Sequence, residues 1–159
     1  MGASTDTTID PGLAQRTAER AARVLYEQDR ASQSLGMRIT RIAPGEAELT
    51  MQVRPDMTNG HHICHGGLVF ALADSAFAFA CNSYGDSTVA AAASIDFLAA
   101  VREGDALTAT ARELWRGGRS GLYEIVVKNQ GGEPVALFRG RSQRVAGRLV
   151  PEDAAGDSV

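Results

Sequence analysis

The stretch GGLVFALADSAFAFACNSYG, Gly66–Gly85, decides the fold. It stays apolar long enough for a helix of roughly 30 Å, and Asn82-Ser83-Tyr84-Gly85 supplies a stop signal. Between Leu68 and Cys81 it carries one charge, Asp74. At helical spacing Asp74 is flanked by Phe70, Ala71, Phe77 and Ala78. No polar face runs alongside it, and a helix that is apolar all round is normally buried. The reading is therefore a sheet curled around this helix, with the alanines allowing close approach. A carboxylate in such a helix is costly unless it is paired or neutralised. Asp74 either marks a thin solvent edge, or merely accepts hydrogen bonds from a loop, or is a tuned carboxylate, a general base or nucleophile. Desolvation would raise its pKa and nearby donors would lower it.

Just ahead of the helix stands NGHHICHGG, Asn59–Gly67. Its three histidines and one cysteine are too crowded to form a tetrahedral metal site together, and no second cluster completes one. A Cys64 nucleophile with a local histidine lacks an orienting third group. His61 and His62 read as exposed loop residues. His65-Gly66-Gly67 sits where a helix begins, with unpaired N–H groups and a positive dipole end. Glycines there either admit a carbonyl oxygen that becomes negative during reaction or only permit a tight entry into the helix. His65 and Asp74 lie about 2.5 turns and ~13 Å apart along one helix and face different sides. If both serve one reaction, Asp74 must meet the loop of a second copy. A two-fold dimer supplies such a site twice.

The flanking sequence completes an α+β pattern. Residues 13–32 read as one amphipathic helix with a stripe through Leu13, Ala21, Val24, Leu25 and Gln28, a surface helix or interaction arm. GMRITRI and EAELTMQV alternate around a Pro44-Gly45 turn. After the central helix come TVAAAASIDFL, ALTATAREL, GLYEIVVKN and PVALFRGRSQRV, with Gly117-Gly118 and Gly131-Gly132 marking two hairpins. The expected architecture is an antiparallel sheet with one long central helix. The expected organisation is a tail and amphipathic helix (1–32), a main domain (33–150) and a flexible tail (151–159). With 159 residues, 44% hydrophobic and 22% charged, the chain reads as a single domain with a real core. Its net charge of −3 gives no basic stripe for nucleic acid. No uncharged stretch of membrane-spanning length is present. Two cysteines suit a reducing compartment. The N-terminus lacks a signal-peptide pattern, and Asp6 breaks a myristoylation motif. A cytoplasmic protein is expected.

Asn59, His65-Gly66-Gly67, Leu72-Ala73-Asp74, Ala76-Phe77-Ala78, Ala80-Cys81-Asn82, Ser94-Ile95-Asp96-Phe97-Leu98 and Ala136-Leu137-Phe138-Arg139-Gly140 together form a familiar pattern. It resembles the hotdog-fold acyl-CoA thioesterases of the phenylacetate-degradation type, over residues 33–146. The resemblance implies a long helix wrapped by a curved antiparallel sheet of five to six strands. It implies a homodimer as the catalytic unit, paired into a homotetramer, and an acyl-CoA substrate such as phenylacetyl-CoA or hydroxyphenylacetyl-CoA. Asp74 then acts as base or nucleophile, and the Gly66 N–H polarises the thioester carbonyl. Asn59 and His65 position the reacting groups, Gly67 belongs to the substrate loop, and Ser94 orients the water or the carboxylate. Phe77, Phe70 and Leu98 become candidate pocket walls, and Arg102, Arg116 and Arg119 candidates for the phosphates of CoA. No metal or other cofactor is expected, because coenzyme A enters as part of the substrate. Two other readings share the fold. A hydratase or dehydratase would need a His/Asp or His/Glu pair, and an acyl-CoA sensor would bind without catalysis.

Overall fold

The computed structural model describes residues 10–151, so most of the two tails expected to fray lies outside the described residues. Asp10 caps the first helix, α1 (Pro11–Gln28), by accepting from the Gly12 N–H at 3.1 Å. The single helix expected over 13–32 breaks at Asp29. Its carboxylate accepts from the Ser32 N–H at 2.9 Å and the Ser32 hydroxyl at 2.6 Å, starting a separate short helix, α2 (Arg30–Ser34). The buried stripe of α1 runs through Ala18, Ala21 and Ala22, while Gln28 is exposed. Tyr26 donates to the Met37 carbonyl at 2.7 Å and its ring lies 6.2 Å from that of Phe79. The helix is thus docked on the core.

Six strands are present: β1 (Arg38–Ala43), β2 (Glu46–Gln52), β3 (Asp86–Phe97), β4 (Ala106–Gly117), β5 (Ser120–Lys128) and β6 (Pro134–Arg148). They form one antiparallel sheet in the order β1-β2-β4-β5-β6-β3. The central helix, α3 (Gly66–Asn82), connects β2 to β3, carrying the chain from one side of the sheet to the far edge. Every second residue of the inner strands points at α3: Ala47, Leu49 and Met51; Leu107, Ala109 and Ala111; Tyr123, Ile125 and Val127; Ala136 and Phe138. This is the period of two expected for a half-buried strand.

Helix α3 is held on two sides. Val69, Leu72, Ala73, Ala76, Phe77 and Ala80 are buried, and Phe77 stacks against Tyr123 and Phe138 with centroids 5.4 and 5.9 Å away. A Cβ on Gly140 would lie 2.8 Å from the Phe77 ring, so a glycine is needed where β6 passes under that ring. Toward α2, the Ser75 hydroxyl lies 2.9 Å from that of Ser32. Ser32 gives its only hydroxyl proton to Asp29, so Ser75 is the donor in that contact. The third side of α3, along Gly67, Phe70, Ala71, Asp74 and Ala78, remains partly open in the single chain.

Candidate active site at the start of the central helix

The loop before α3 is fastened from both sides. The Cys64 N–H donates to Val101 at 2.7 Å and the His65 N–H to Met57 at 2.8 Å. Asn59 closes a small turn: its N–H donates to Ile63 at 2.8 Å, and its Oδ1 accepts from the His61 N–H at 2.9 Å. The Asn59 Nδ2 has no protein acceptor among the described residues, and Asn59 lines a pocket of about 260 Å³ beside Gly66. The rest of that cavity is apolar, with Ile63, Val69, Phe97, Ala100 and Val101 as its main walls. His61 and His62 are exposed, as expected.

A helix start leaves four N–H groups without intrahelical partners. Three are used here. The His65 N–H goes to Met57, the Gly67 N–H to the His65 Nδ1 at 3.0 Å, and the Leu68 N–H to the His65 carbonyl at 2.9 Å. The Gly66 N–H alone has no acceptor among the described residues, and it borders the cavity. His65 is therefore the N-cap of α3, and acceptance at Nδ1 puts the proton of its neutral ring on Nε2. A Cβ on Gly67 would lie 3.1 Å from the His65 Nδ1. That glycine makes room for the cap, and its N–H is spent there.

Asp74 lies on the open strip of α3, half-buried among apolar neighbours. No donor among the described residues reaches its carboxylate, and burial pushes its pKa above the ordinary 3.8. Gly66 and Asp74 are eight residues apart on an unbroken helix, about 12 Å along its axis. One chain thus holds a helix-start N–H and a carboxylate, both without partners among the described residues and too far apart to reach one small group.

Other expected residues fall elsewhere. Phe77 is 0% exposed, inside the core. In the single chain it packs against Tyr123 and Phe138. Phe70 is half-buried, with its ring 5.1 Å from Phe138. Ser94 pairs with Arg139. Its neighbour Ile95 packs against the core, so alternation turns Ser94 to the outer face, away from Asp74 and the loop of the same chain. Cys64 and Cys81 are buried thiols, the first raised by burial and the second to about 12. Arg102 sits at the loop end of α3, next to Val101, with its N–H donating to Asp105 at 2.8 Å. Arg116 and Arg119 lie at the other end, around a small polar hollow shared with Asp86, Thr88 and Arg144. Arg116 lies 3.6 Å from the Tyr84 ring centroid, and Arg119 donates to the Arg144 carbonyl at 3.0 Å. The cavity-lining role of Phe97 is not among the sequence-based expectations. Its signal is the alternation Ile95, Phe97, which turns a large apolar side chain toward α3 just where β3 ends.

The profile of the thioesterase superfamily matches residues 61–136. The chain is 47% identical over 131 residues to the acyl-coenzyme A thioesterase PaaI of Escherichia coli K12, covering 82% of this chain and 94% of that one. A putative esterase of Archaeoglobus fulgidus is 37% identical over 127 residues, covering 80% and 82%. In three dimensions the chain superposes on the structure of E. coli PaaI, a protein of the phenylacetic acid degradation operon, with a TM-score of 0.84 at 46% identity, covering 85% of this chain and 98% of that one. A variant of the phenylacetic acid degradation protein PaaI from Thermus thermophilus gives 0.69 at 37% identity, covering 72% and 97%. The chain belongs to the hotdog-fold thioesterase superfamily, in its PaaI-type acyl-CoA thioesterase family.

Proposed function

We propose that this thioesterase hydrolyses acyl-CoA esters of the phenylacetyl or hydroxyphenylacetyl type, in sites shared between two subunits. One observation carries the arrangement. Asp74 and the Gly66 N–H are both unpartnered, yet they stand about 12 Å apart on one rigid helix. Two antiparallel copies of α3 related by a two-fold would bring Asp74 of each to Gly66 of the other. Asp74 then either attacks the thioester carbon, forming a mixed anhydride that water cleaves, or takes a proton from an attacking water. In both routes the carbonyl oxygen gains its negative charge against the Gly66 N–H. Collapse of the tetrahedral species expels the CoA thiolate, which leaves as the thiol. Asn59, which lines the pocket and whose Nδ2 has no acceptor among the described residues, is suited to hold the thioester or the water. His65 acts by capping the helix that presents Gly66. The chemistry asks for no metal or other cofactor.

The free edge of β3 supports the dimer. This 12-residue strand pairs only with β6 among the described residues, and its run Val89–Ser94 is exposed. A long, small-residue, uncharged edge is a template for another strand. Leu114, Trp115 and Leu122 are exposed on the far side of the sheet, which favours dimers pairing further into a tetramer. Buried free thiols at Cys64 and Cys81 suit a reducing cytoplasm. A thiol-release assay over a panel of acyl-CoAs tests the reading. The parent should release thiol fastest from phenylacetyl-CoA or a hydroxylated form, and Asp74→Ala and Asp74→Asn should be nearly inactive. Variants as fast as the parent would remove Asp74 from the mechanism. Conversion of an enoyl-CoA to hydroxyacyl-CoA without free thiol would point to a hydratase instead.

A further inference from the structure

Resting on the thioesterase reading above, we infer that the cavity beside Gly66 is the acyl pocket and that the Phe97 ring sets the largest acyl group it admits. The cavity opens at the one unpaired amide of the helix start, where the thioester carbonyl must sit. Its polar groups are that amide, the Asn59 side chain and the Cys64 thiol, and no charged side chain lines it. Such a wall suits an apolar acyl group and offers nothing to the phosphates of CoA. The inner walls, Val69 and Val101, are buried at 2% and 4% exposure, so that end is closed. A volume of about 260 Å³ exceeds the roughly 150 Å³ that accommodates benzene in an apolar protein cavity. One aromatic ring with its methylene link fits, and a long fatty chain would have to run out past Phe97.

Phe97 forms the outer wall. A Cβ on Gly66 would lie 2.9 Å from its Cζ, so the ring rests directly on the residue whose N–H faces the carbonyl. The same ring is 56% exposed. It is therefore a wall outside the core of its own chain, which can be cut back without hollowing that core. The absence of a side chain at Gly66 has a second reason here, beyond helix entry: any larger residue would displace Phe97 and reshape the pocket.

The test compares kcat/KM for acetyl-, phenylacetyl-, octanoyl- and palmitoyl-CoA in the parent, Phe97→Ala and Ala100→Leu. The parent should favour phenylacetyl over palmitoyl. Phe97→Ala should raise the octanoyl-to-phenylacetyl ratio about tenfold or more, the range typical of pocket-size changes. Ala100→Leu fills the pocket from an exposed position, so it serves if Phe97→Ala fails to fold. It should lower the phenylacetyl-to-acetyl ratio by a similar factor. An unchanged ranking with turnover intact overturns the pocket assignment alone. A uniform loss across all four substrates also overturns it, because it would place Phe97 against the CoA arm. Failure of the underlying reading looks different: no thiol release by the parent from any acyl-CoA.

Discussion

At the scale of single residues, Asp74 links stability to activity. Burial raises its pKa above 3.8, so the folded chain holds this proton more tightly than the unfolded chain. Between 3.8 and the raised value the native state binds more protons, and stability falls as pH rises. Above the raised value the ionised, donorless carboxylate is a standing cost, and below 3.8 the difference disappears. Asparagine is neutral throughout. Asp74→Asn should therefore melt higher than the parent at pH 7, with a gain on the order of 1 kcal/mol, the usual size when a functional strain is removed. The gap should close as pH approaches 3.8. Thermal melts at neutral and acid pH check this, and a lower melting temperature at pH 7 would mean that the carboxylate is paired after all. The same substitution should cost about 10²- to 10⁴-fold in turnover, as loss of a general base does. The acid limb of the parent's kcat/KM profile should lie above 3.8, because the active form is the ionised one. A limb at or below that value would disconnect the buried carboxylate from catalysis.

At the scale of elements, the far end of α3 is fixed as firmly as its start. The buried Asn82 side chain donates to the Ala78 carbonyl at 2.9 Å and to the Thr88 carbonyl at 2.8 Å, and accepts from the Thr88 N–H at 2.9 Å. Ser83 accepts from the Gly45 N–H at 2.7 Å, tying the same end to the β1–β2 turn. Asn82→Ala strips three bonds and leaves Thr88 with unmet polar groups, so it should cost about 2–4 kcal/mol in urea unfolding. A cost below about 0.5 kcal/mol would show that the helix is anchored elsewhere. These anchors explain what could be read in advance. The span of α3, the stop at Asn82 and the alternation of β2, β4, β5 and β6 depend on local periodicity and caps, which a linear sequence displays. The break at Asp29 was hidden because polar, helix-compatible residues run on past it with no glycine or proline to mark a stop. Whether Phe77 faces core or substrate, and which side of β3 Ser94 takes, depends on strand order and on β3 lying at the sheet edge. That order comes from contacts distant in sequence. The HGG and LAD segments mark Gly66 and Asp74 as candidates, whereas the helix that separates them is seen to be unbroken and fixed at both ends only in the fold.

At the scale of the whole molecule, activity and assembly should be inseparable. On the proposed arrangement each chain would present half of two sites, and the free β3 edge is the surface open to a second copy. A two-fold axis crossing that edge places the middle of one exposed run, Val89–Ser94, near the same residues of its copy. A lysine replacing Ala91 would then face another lysine, and like charges at close range in a sheet are destabilising. Ala91→Lys should shift the protein toward monomer in sedimentation or size-exclusion experiments, and thiol release should fall with the dimer fraction. An active monomer would refute the shared site. Subunit mixing gives a separate reading. Asp74→Ala disables the carboxylate, and Gly66→Pro removes the N–H at a first helical position, where the backbone accepts proline, while its Cβ also presses on the Phe97 ring of that already disabled half-site. Each homodimer should be inactive. A mixed dimer, however, contains one site with native Asp74 from one chain opposite native Gly66 from the other. Statistical mixing of equal amounts makes half the dimers mixed, each with one of its two sites intact, so about one quarter of parental activity should return. No return, with exchange of subunits verified, would place both groups in service of a single chain and require α3 to bend or break between Gly66 and Asp74.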